Sequence, residues 1–557
     1  MATILPKNLQ LIAQRLSNFH RTTVRTRAQS NDVASAGQTV TFRLPTNTLV
    51  DLHCLQIYAE MQISNTIPLP SATASTSAVP TNFSANGITM LAGPRSAQSL
   101  IERLDIVING QVVNGSNNDY GGLLSLLTNH LSTNQRTNTM GFLESGDNKL
   151  DSTYSLAVRT ATQAENFVSS LYCLPIIPTA AAPYTNAVPS LVNYQVPNNS
   201  KPLSMNTSGN VPGSYTVPVV MNGFMGFLAG NFVRFVDTAV LGPVEIRIRL
   251  APGCVMYGCD NTVNNSTTAV SGSVLPYTAA VGATTTSNVN NRPSSFNYKL
   301  QNMYLILDTI SFTDDFYRAI LAKRLIDGGV ITIPYQNVFS FQKNVGLSDT
   351  VSFNLATQSL DYLIGTFRDQ RYSSNCIKKF STDANDSSYY KFSSCAGSNL
   401  INSTTTYQFL VNNMYAPTWP ANVNEAALLT RAAWDLANDA SGVGRIDQSS
   451  KWRNGMFAFV QSFNHHAEAD KMISGLDTRG ASSNMQFMFS GLIPATGQVS
   501  YDANGVCYMT NYYAGSTDEY IYDSFQHGAQ SGCAAIVWAL TTSTLEISAG
   551  QNIVVIF

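Results

Sequence analysis

The sequence predicts an all-β protein of two consecutive β-sandwiches joined by a short helix, with long loops between strands. Three observations carry that prediction. Apolar and polar residues alternate along much of the chain at the two-residue period of half-buried strands. One cleanly delimited helical segment falls near the midpoint of the 557 residues. Charged residues make up only 12% of the chain, about half the usual share, whereas hydrophobic residues reach 44%. That is enough apolar material for two full cores, and β-sandwiches often run to about 200–250 residues each. The surface must then be built mainly from Asn, Ser, Thr, Gln and Tyr. Neutral surfaces of this kind suit secreted β-proteins and proteins that bury much of their exterior in an assembly. A net charge of -2 argues against a whole-chain polyanion binder.

Taken in order, residues 1–35 read as a basic, amphipathic arm. Lys7, Arg15, Arg21, Arg25 and Arg27 precede the first acid, Asp32, while Leu9, Ile12, Leu16 and Phe19 fall at helical spacing. A frayed, solvated leader is the plainer reading of such a terminus. An inward-facing arm that touches genome, membrane or another protein is the functional one.

The first sandwich is expected over 36–312. In "QTVTFRLP", Val40, Phe42 and Leu44 point inward, and "LQIYAEMQI" puts Leu55, Ile57, Ala59, Met61 and Ile63 on one face. "LDIVINGQVV" carries a hairpin signal at Asn109-Gly110. "VEIRIRL" alternates Val244, Ile246, Ile248 and Leu250 against Glu245, Arg247 and Arg249. Such strands face water on one side only, as antiparallel sandwich strands do. A helix is expected around 119–131, and long insertions at 64–98, 175–215 and 257–296.

The joint is expected over 313–329. Thr313 is a suitable N-cap, Asp314 and Asp315 favour the first turn, and Lys323 and Arg324 come near the end. Gly328 and Gly329 then stop the helix.

The second sandwich is expected over 330–557. "VITIPYQNVFSFQ" and "TVSFNLATQSLDYLIGTF" read as paired strands, with Val351, Phe353 and Leu355 on one face, and "MFAFVQSF" groups Phe457, Phe459 and Phe463. A helix is expected at 424–438, and the chain closes on a strand, turn and strand ending at Phe557.

Two successive sandwiches with a linking helix and long loops resemble the double jelly-roll major capsid proteins of icosahedral DNA viruses, in the style of the virophage and polinton-like group. The stretches that carry the resemblance are "LIERLDIVINGQVV" (100–113), "YLILDTISFTDDFY" (304–317) and "SLDYLIGTFRDQ" (359–370). They are patterns of strand residues, without a catalytic signature. The resemblance implies a structural role in the virion. Each chain would supply two upright jelly rolls, and three chains would give a pseudo-hexagonal homotrimeric capsomer that tiles a shell. Its partners would be further copies, penton and minor capsid proteins, and genome or inner membrane through the arm. Assembly inside the host cell is implied as well.

No cofactor or metal site is read from the sequence, and no enzyme. Eight dispersed cysteines fit reduced thiols of a cytosolic assembly better than a disulfide framework. Cys254 and Cys259 lack a CxxC or His partner for zinc. The first residues lack the apolar core of a signal peptide, and the longest apolar run, "AAIVWAL" (534–540), is too short to span a bilayer. The Asn-x-Ser/Thr triplets, as in "NNST" (264–267), follow from the abundance of those residues. "FNHHAEAD" (463–470) holds His465, His466, Glu468 and Asp470, but adjacent histidines on a strand face opposite ways, so a solvated loop is the better reading. No HExxH, GxSxG or P-loop pattern is present. A carbohydrate- or receptor-binding fibre or spike is the alternative function. A glycosidase comes third, since paired carboxylates leave no local spacing and Trp419 in "PTWP" could line a sugar site.

Overall fold

The computed structural model describes residues 19–30, 32–66, 88–92, 97–114, 119–130, 174–175, 214–229, 234–255, 257–260, 295–312, 323, 330–369, 376–379, 388–390, 392–396, 404–434, 452, 456–464, 475–480, 484–492, 499–501, 507–509, 533–548 and 552–557. The alternating segments become strands in two facing sheets. One holds β1 (Phe19–Arg27), β2 (Val33–Ser35), β4 (Leu49–Thr66), β9 (Ser214–Asn222), β10 (Phe235–Asp237) and β13 (Ser295–Phe312). Its order is β1-β13-β4-β10, with β2 also on β13 and β9 also on β4. The facing sheet runs β3 (Thr39–Arg43), β11 (Val244–Leu250), β6 (Ile101–Ile108), β7 (Gln111–Val112).

The second half repeats the plan. Its first sheet runs β14 (Val330–Asn344), β25 (Cys533–Ser548), β16 (Leu360–Asp369), β18 (Phe392–Ser393), with β21 (Phe459–Ser462) also on β16 and β26 (Asn552–Ile556) also on β25. Its second runs β15 (Asp349–Asn354), β22 (Asn484–Ser490), β19 (Thr406–Val411), β20 (Met414–Asn422).

Lettered B to I in chain order, the main strands of each half fall into one sheet of order B-I-D-G and one of order C-H-E-F. In the first half B is β1 with β2, D is β4, F is β7, G is β9 with β10, and I is β13. In the second, β14, β16, β20, β21 and β25 take those places. Two sheets sharing eight strands in this way make a jelly roll. Both halves are jelly rolls. Each also sets a helix after F: α1 (Tyr120–His130) in the first and α2 (Val423–Ala433) in the second.

The alternation works as read. Val244, Ile246, Ile248 and Leu250 are buried, as are Val40, Phe42 and Leu44, and Val351, Phe353 and Leu355. Asn109 and Gly110 take φ of 47° and 84°, the doubly left-handed turn that matches strand twist. Asn422 and Glu425 close a reciprocal capping box at the start of α2.

Three expectations change. First, the stretches from Val330 and from Val351, read as a pair, do not pair with each other. β14 pairs with β25, and β15 joins β22 in the opposite sheet. Successive strands B and C belong to different sheets, and their partners arrive from far along the chain. Second, the first roll begins before residue 36. β1 runs antiparallel to β13 from Phe19 opposite Phe312 to Arg27 opposite Tyr304, and β2 follows on the same strand. Residues 19–27 and 33–35 are therefore sheet rather than a separate arm. Third, Phe19 belongs to that strand and not to a helix. The proposed joint helix, Asp314 to Asp327, lies outside the described residues except for Lys323, as do Lys7, Arg15 and the 465–470 cluster.

Antiparallel succession puts the B–C, D–E, F–G and H–I connections at one end of each roll and the C–D, E–F and G–H connections at the other. The long insertions lie in the D–E, F–G and H–I connections, so they share one end. Strands inside them form a further sheet, β23 (Val499–Tyr501), β24 (Cys507–Met509), β17 (Cys376–Lys379), β12 (Tyr257–Asp260), β5 (Ile88–Ala92), β8 (Leu174–Pro175). Parallel pairing of β12 with β17 stitches the loops of one roll to those of the other.

Candidate functional site

The sequence offers no catalytic constellation, so the surfaces that could join rolls to one another are the candidates. One is already filled. β25 explains why the longest apolar run exists at all: its residues are buried on both faces. Ala535, Val537 and Ala539 belong to the core of the second roll. Ile536, Trp538 and Leu540 point out of that roll and pack into the cluster that contains the first roll's core. A strand covered on both sides needs a continuous apolar run rather than alternation.

Helix α1 belongs to the same buried cluster as that face. Tyr120, Leu123, Leu124, Ser125, Leu126 and His130 are all buried. A Cβ on Gly121 would lie 2.5 Å from the Ile101 carbonyl and 2.7 Å from the Tyr390 hydroxyl, so only glycine lets the helix approach this closely. Polar groups fix the register across the seam. Arg368 reaches Asp119 at 3.1 Å, with both side chains largely buried. Burial works against the Arg368 charge, but the Asp119 carboxylate overrides it and holds the guanidinium above its usual pKa. The backbone N–H of Asp119 donates to Ser340 Oγ at 3.1 Å. Tyr390 donates to the Ser99 carbonyl and Tyr335 to that of Val113.

His130 sits among these contacts. Its Nδ1 meets the Leu126 carbonyl at 2.7 Å, and the Trp452 indole N–H donates to its Nε2 at 3.2 Å. A carbonyl only accepts and an indole N–H only donates, so the ring is neutral with its proton on Nδ1. Trp434 lies edge-on at 4.7 Å. Desolvation pushes the His130 pKa down to about 4, with the Leu126 hydrogen bond opposing it.

The second surface is the outer face of the first roll's B-I-D-G sheet, and it carries the sequence-predicted basic residues. Arg21, Arg25 and Arg27 share strand parity, which places them on one face of β1. Arg21 Nε donates to Asp308 at 2.9 Å and Thr23 donates to the same carboxylate at 2.7 Å. The Thr23 hydrogen bond, then Arg21, holds Asp308 below the usual carboxylate range. Arg234 clamps the fully covered Asp51 at 3.1 Å. The Arg25 guanidinium lies 3.6 Å above the Tyr304 ring, which stacks on Tyr58 at 4.7 Å. The arm residues thus pin β1 to β13. The β-branched run Thr22, Thr23, Val24 and Thr26 was the signal that a helical reading of the terminus missed.

Among the described residues no group of three His, Cys, Asp or Glu is placed to hold a metal. Cys254 is buried, which raises its thiol to about 12, a poor state for a ligand or nucleophile. Trp419 stands on β20, 48% exposed.

No protein-family model matches the chain, and no curated protein does. Among solved structures it is similar to PBCV-1 VP54 fitted into a reconstruction of the virophage Sputnik, with 10% identity, 97% of each chain covered and a TM-score of 0.45. The Faustovirus major capsid protein gives 9% identity over 95% of this chain and 90% of that one, with a TM-score of 0.46. The mavirus major capsid protein gives 12% identity over 97% and 90%, with a TM-score of 0.38. The jelly-roll assignment rests on the strand order and does not need them.

Proposed function

We propose that this chain is a major capsid protein, three copies of which form a pseudo-hexagonal capsomer that tiles an icosahedral shell. One observation carries the reading: the same strand order, with a helix after F, occurs twice, and the two rolls already pack side by side through an extensive apolar seam. Repeating a roll-to-roll contact of one kind generates a ring when the rotation closes. Six rolls from three chains make such a ring with no new type of contact. The joined loops at one end would stand outward as a tower, and the opposite end would face the interior.

The chain enters β1 at the end opposite the long insertions, so residues 1–18, with Lys7 and Arg15, would extend inward beneath the block. Contacts with genome, an inner membrane, penton or minor capsid proteins would be made there. We place the division between rolls at 313–329, with the first roll starting near residue 19. The reading implies a virion location, assembly inside the host cell and no enzymatic activity.

Native mass measurement and negative-stain imaging test the proposal together. The expected result is a trimer of three chains seen as a compact six-lobed block. An elongated particle would favour a fibre or spike, and a stable monomer at micromolar concentration would refute the capsomer.

A further inference from the structure

The strands inside the long insertions share one sheet, but its joints are unequal. β12 follows β17 from Tyr257 opposite Cys376 to Asp260 opposite Lys379. β23 follows β24 from Val499 opposite Met509 to Tyr501 opposite Cys507. β17 and β24 match at a single register position, and the two residues there are Cys376 and Cys507. With eight cysteines among 557 residues, one cysteine seldom falls opposite another by chance. Among the described residues no other two cysteines are register partners: Cys259 faces Lys378 and Met90, and Cys533 faces Asp369.

We propose that Cys376 and Cys507 form a redox-dependent disulfide that staples the D–E connection of the second roll to its H–I connection. Geometry selects this pair. Neighbouring strands lie about 4.8 Å apart, within the Cα separation of roughly 4.4–6.8 Å that a disulfide spans. Cys259, the third cysteine of the sheet, has the strand parity of Tyr257 and so falls on the same sheet face as Cys376. With a rise of about 3.3 Å per residue, that grid puts Cys259 about 8 Å from Cys376 and about 12 Å from Cys507. Both values exceed the roughly 7 Å beyond which a bridge needs backbone movement. So wide a spread does not suit one thiolate-ligated metal ion either, because each sulfur must come within about 2.3 Å of the metal. Cys259 therefore stays a thiol. The bond closes within one chain and does not depend on the capsomer.

The placement gives the staple a task. A single matched position is the weakest joint of this sheet, and a covalent bond there supplies what the ladder lacks. β17 is also the strand that pairs with β12 of the first roll, so fixing β24 to it ties a further connection into the union of the two rolls. A glutathione-buffered cytosol keeps the pair reduced, and a more oxidising medium closes it. With oxidised glutathione as the oxidant, one cysteine thiolate attacks the glutathione S–S bond. A mixed disulfide forms and one glutathione thiolate leaves. The second cysteine thiolate attacks the protein sulfur of that mixed disulfide, which forms the Cys376–Cys507 bond and releases the other glutathione. The cysteine pair loses two electrons and two protons, and glutathione leaves with both as two thiols.

The full chain, purified reduced, is treated with oxidised glutathione, and remaining thiols are blocked with N-ethylmaleimide before non-reducing peptide mapping. Cys376 should be found linked to Cys507 of the same chain, with Cys259 alkylated. Trypsin cleavage after Lys378 and Lys379 should slow several-fold on oxidation and recover with dithiothreitol, because cleavage there needs local opening of β17. The oxidised and reduced parent make this comparison without any substitution. Cys507→Ser should lose the link and the protection, leaving glutathione on Cys376. Folded protein in which both cysteines remain alkylated after oxidation would overturn the inference, as would a link from either one to a different cysteine. Linked protein cleaved as fast as the reduced form would refute the staple. One zinc ion held per reduced chain and lost in Cys376→Ser would replace it with a metal site.

Discussion

Helices α1 and α2 occupy the same place in the two rolls, yet their sequences differ in character. The first reads YGGLLSLLTNH, and its described side chains are buried apart from the partly exposed Leu127; the second reads VNEAALLTRAA and keeps one face in solvent. The difference follows from what lies opposite. α1 packs on β6 of its own roll and on the 388–390 turn of the other, and shares one buried cluster with Ile536, Trp538 and Leu540, so a polar face would be left unsatisfied. α2 buries Val423, Ala426, Ala427, Thr430 and Ala433 against its own roll and turns Leu428 and Arg431 outward. One helix records a contact made during folding, and the other a face turned to solvent.

The largest expected effect strikes the filled side. Trp538→Ala should cost about 3–5 kcal/mol in urea unfolding, because a fully buried indole leaves a cavity bounded by two rolls. A loss below about 1 kcal/mol would mean that the seam contributes little. Arg368→Ala should cost about 3 kcal/mol, since it leaves the Asp119 carboxylate largely buried without its cation; the double variant with Asp119→Ala should recover part of the loss.

Acid should loosen the same seam. His130 has a folded pKa of about 4 against 6.5 when exposed, so the unfolded state binds the extra proton between those values. Its contribution is complete above pH 6.5, declines as the pH falls, and is lost at about pH 4, on the order of 3 kcal/mol in all. Below that pH the ring is protonated in both states, and its new Nε2–H would oppose the Trp452 indole N–H. Stability measured across this window should flatten in His130→Phe relative to the parent. An unchanged slope would assign the acid sensitivity elsewhere. The smallest effect belongs to the open side: Leu428→Asp should change monomer stability by no more than about 0.5 kcal/mol, which guanidinium unfolding of the dissociated protein can check.

Much of this was legible in the residues. The strands of "VEIRIRL" and "QTVTFRLP", the Asn109-Gly110 hairpin and both helices after F appear where periodicity and turn chemistry put them. The second roll's final two strands are also found, as β25 and β26. The part of the arm from Phe19 to Arg27 was misread, because Arg21, Arg25 and Arg27 suit a strand only once β13 is there to supply Asp308 and Tyr304.

The sequence by itself determined the all-β class, the two-unit division and the inward face of most strands, because a two-residue period and a turn are local properties. Which strands pair was decided only in three dimensions, since B and I meet across almost a whole roll. The tertiary structure also decided that "AAIVWAL" is a strand buried on both faces, that α1 and α2 differ in their surroundings, and that His130 is neutral. Those facts depend on what lies on the far side of a residue, and a linear pattern carries no information about that neighbour.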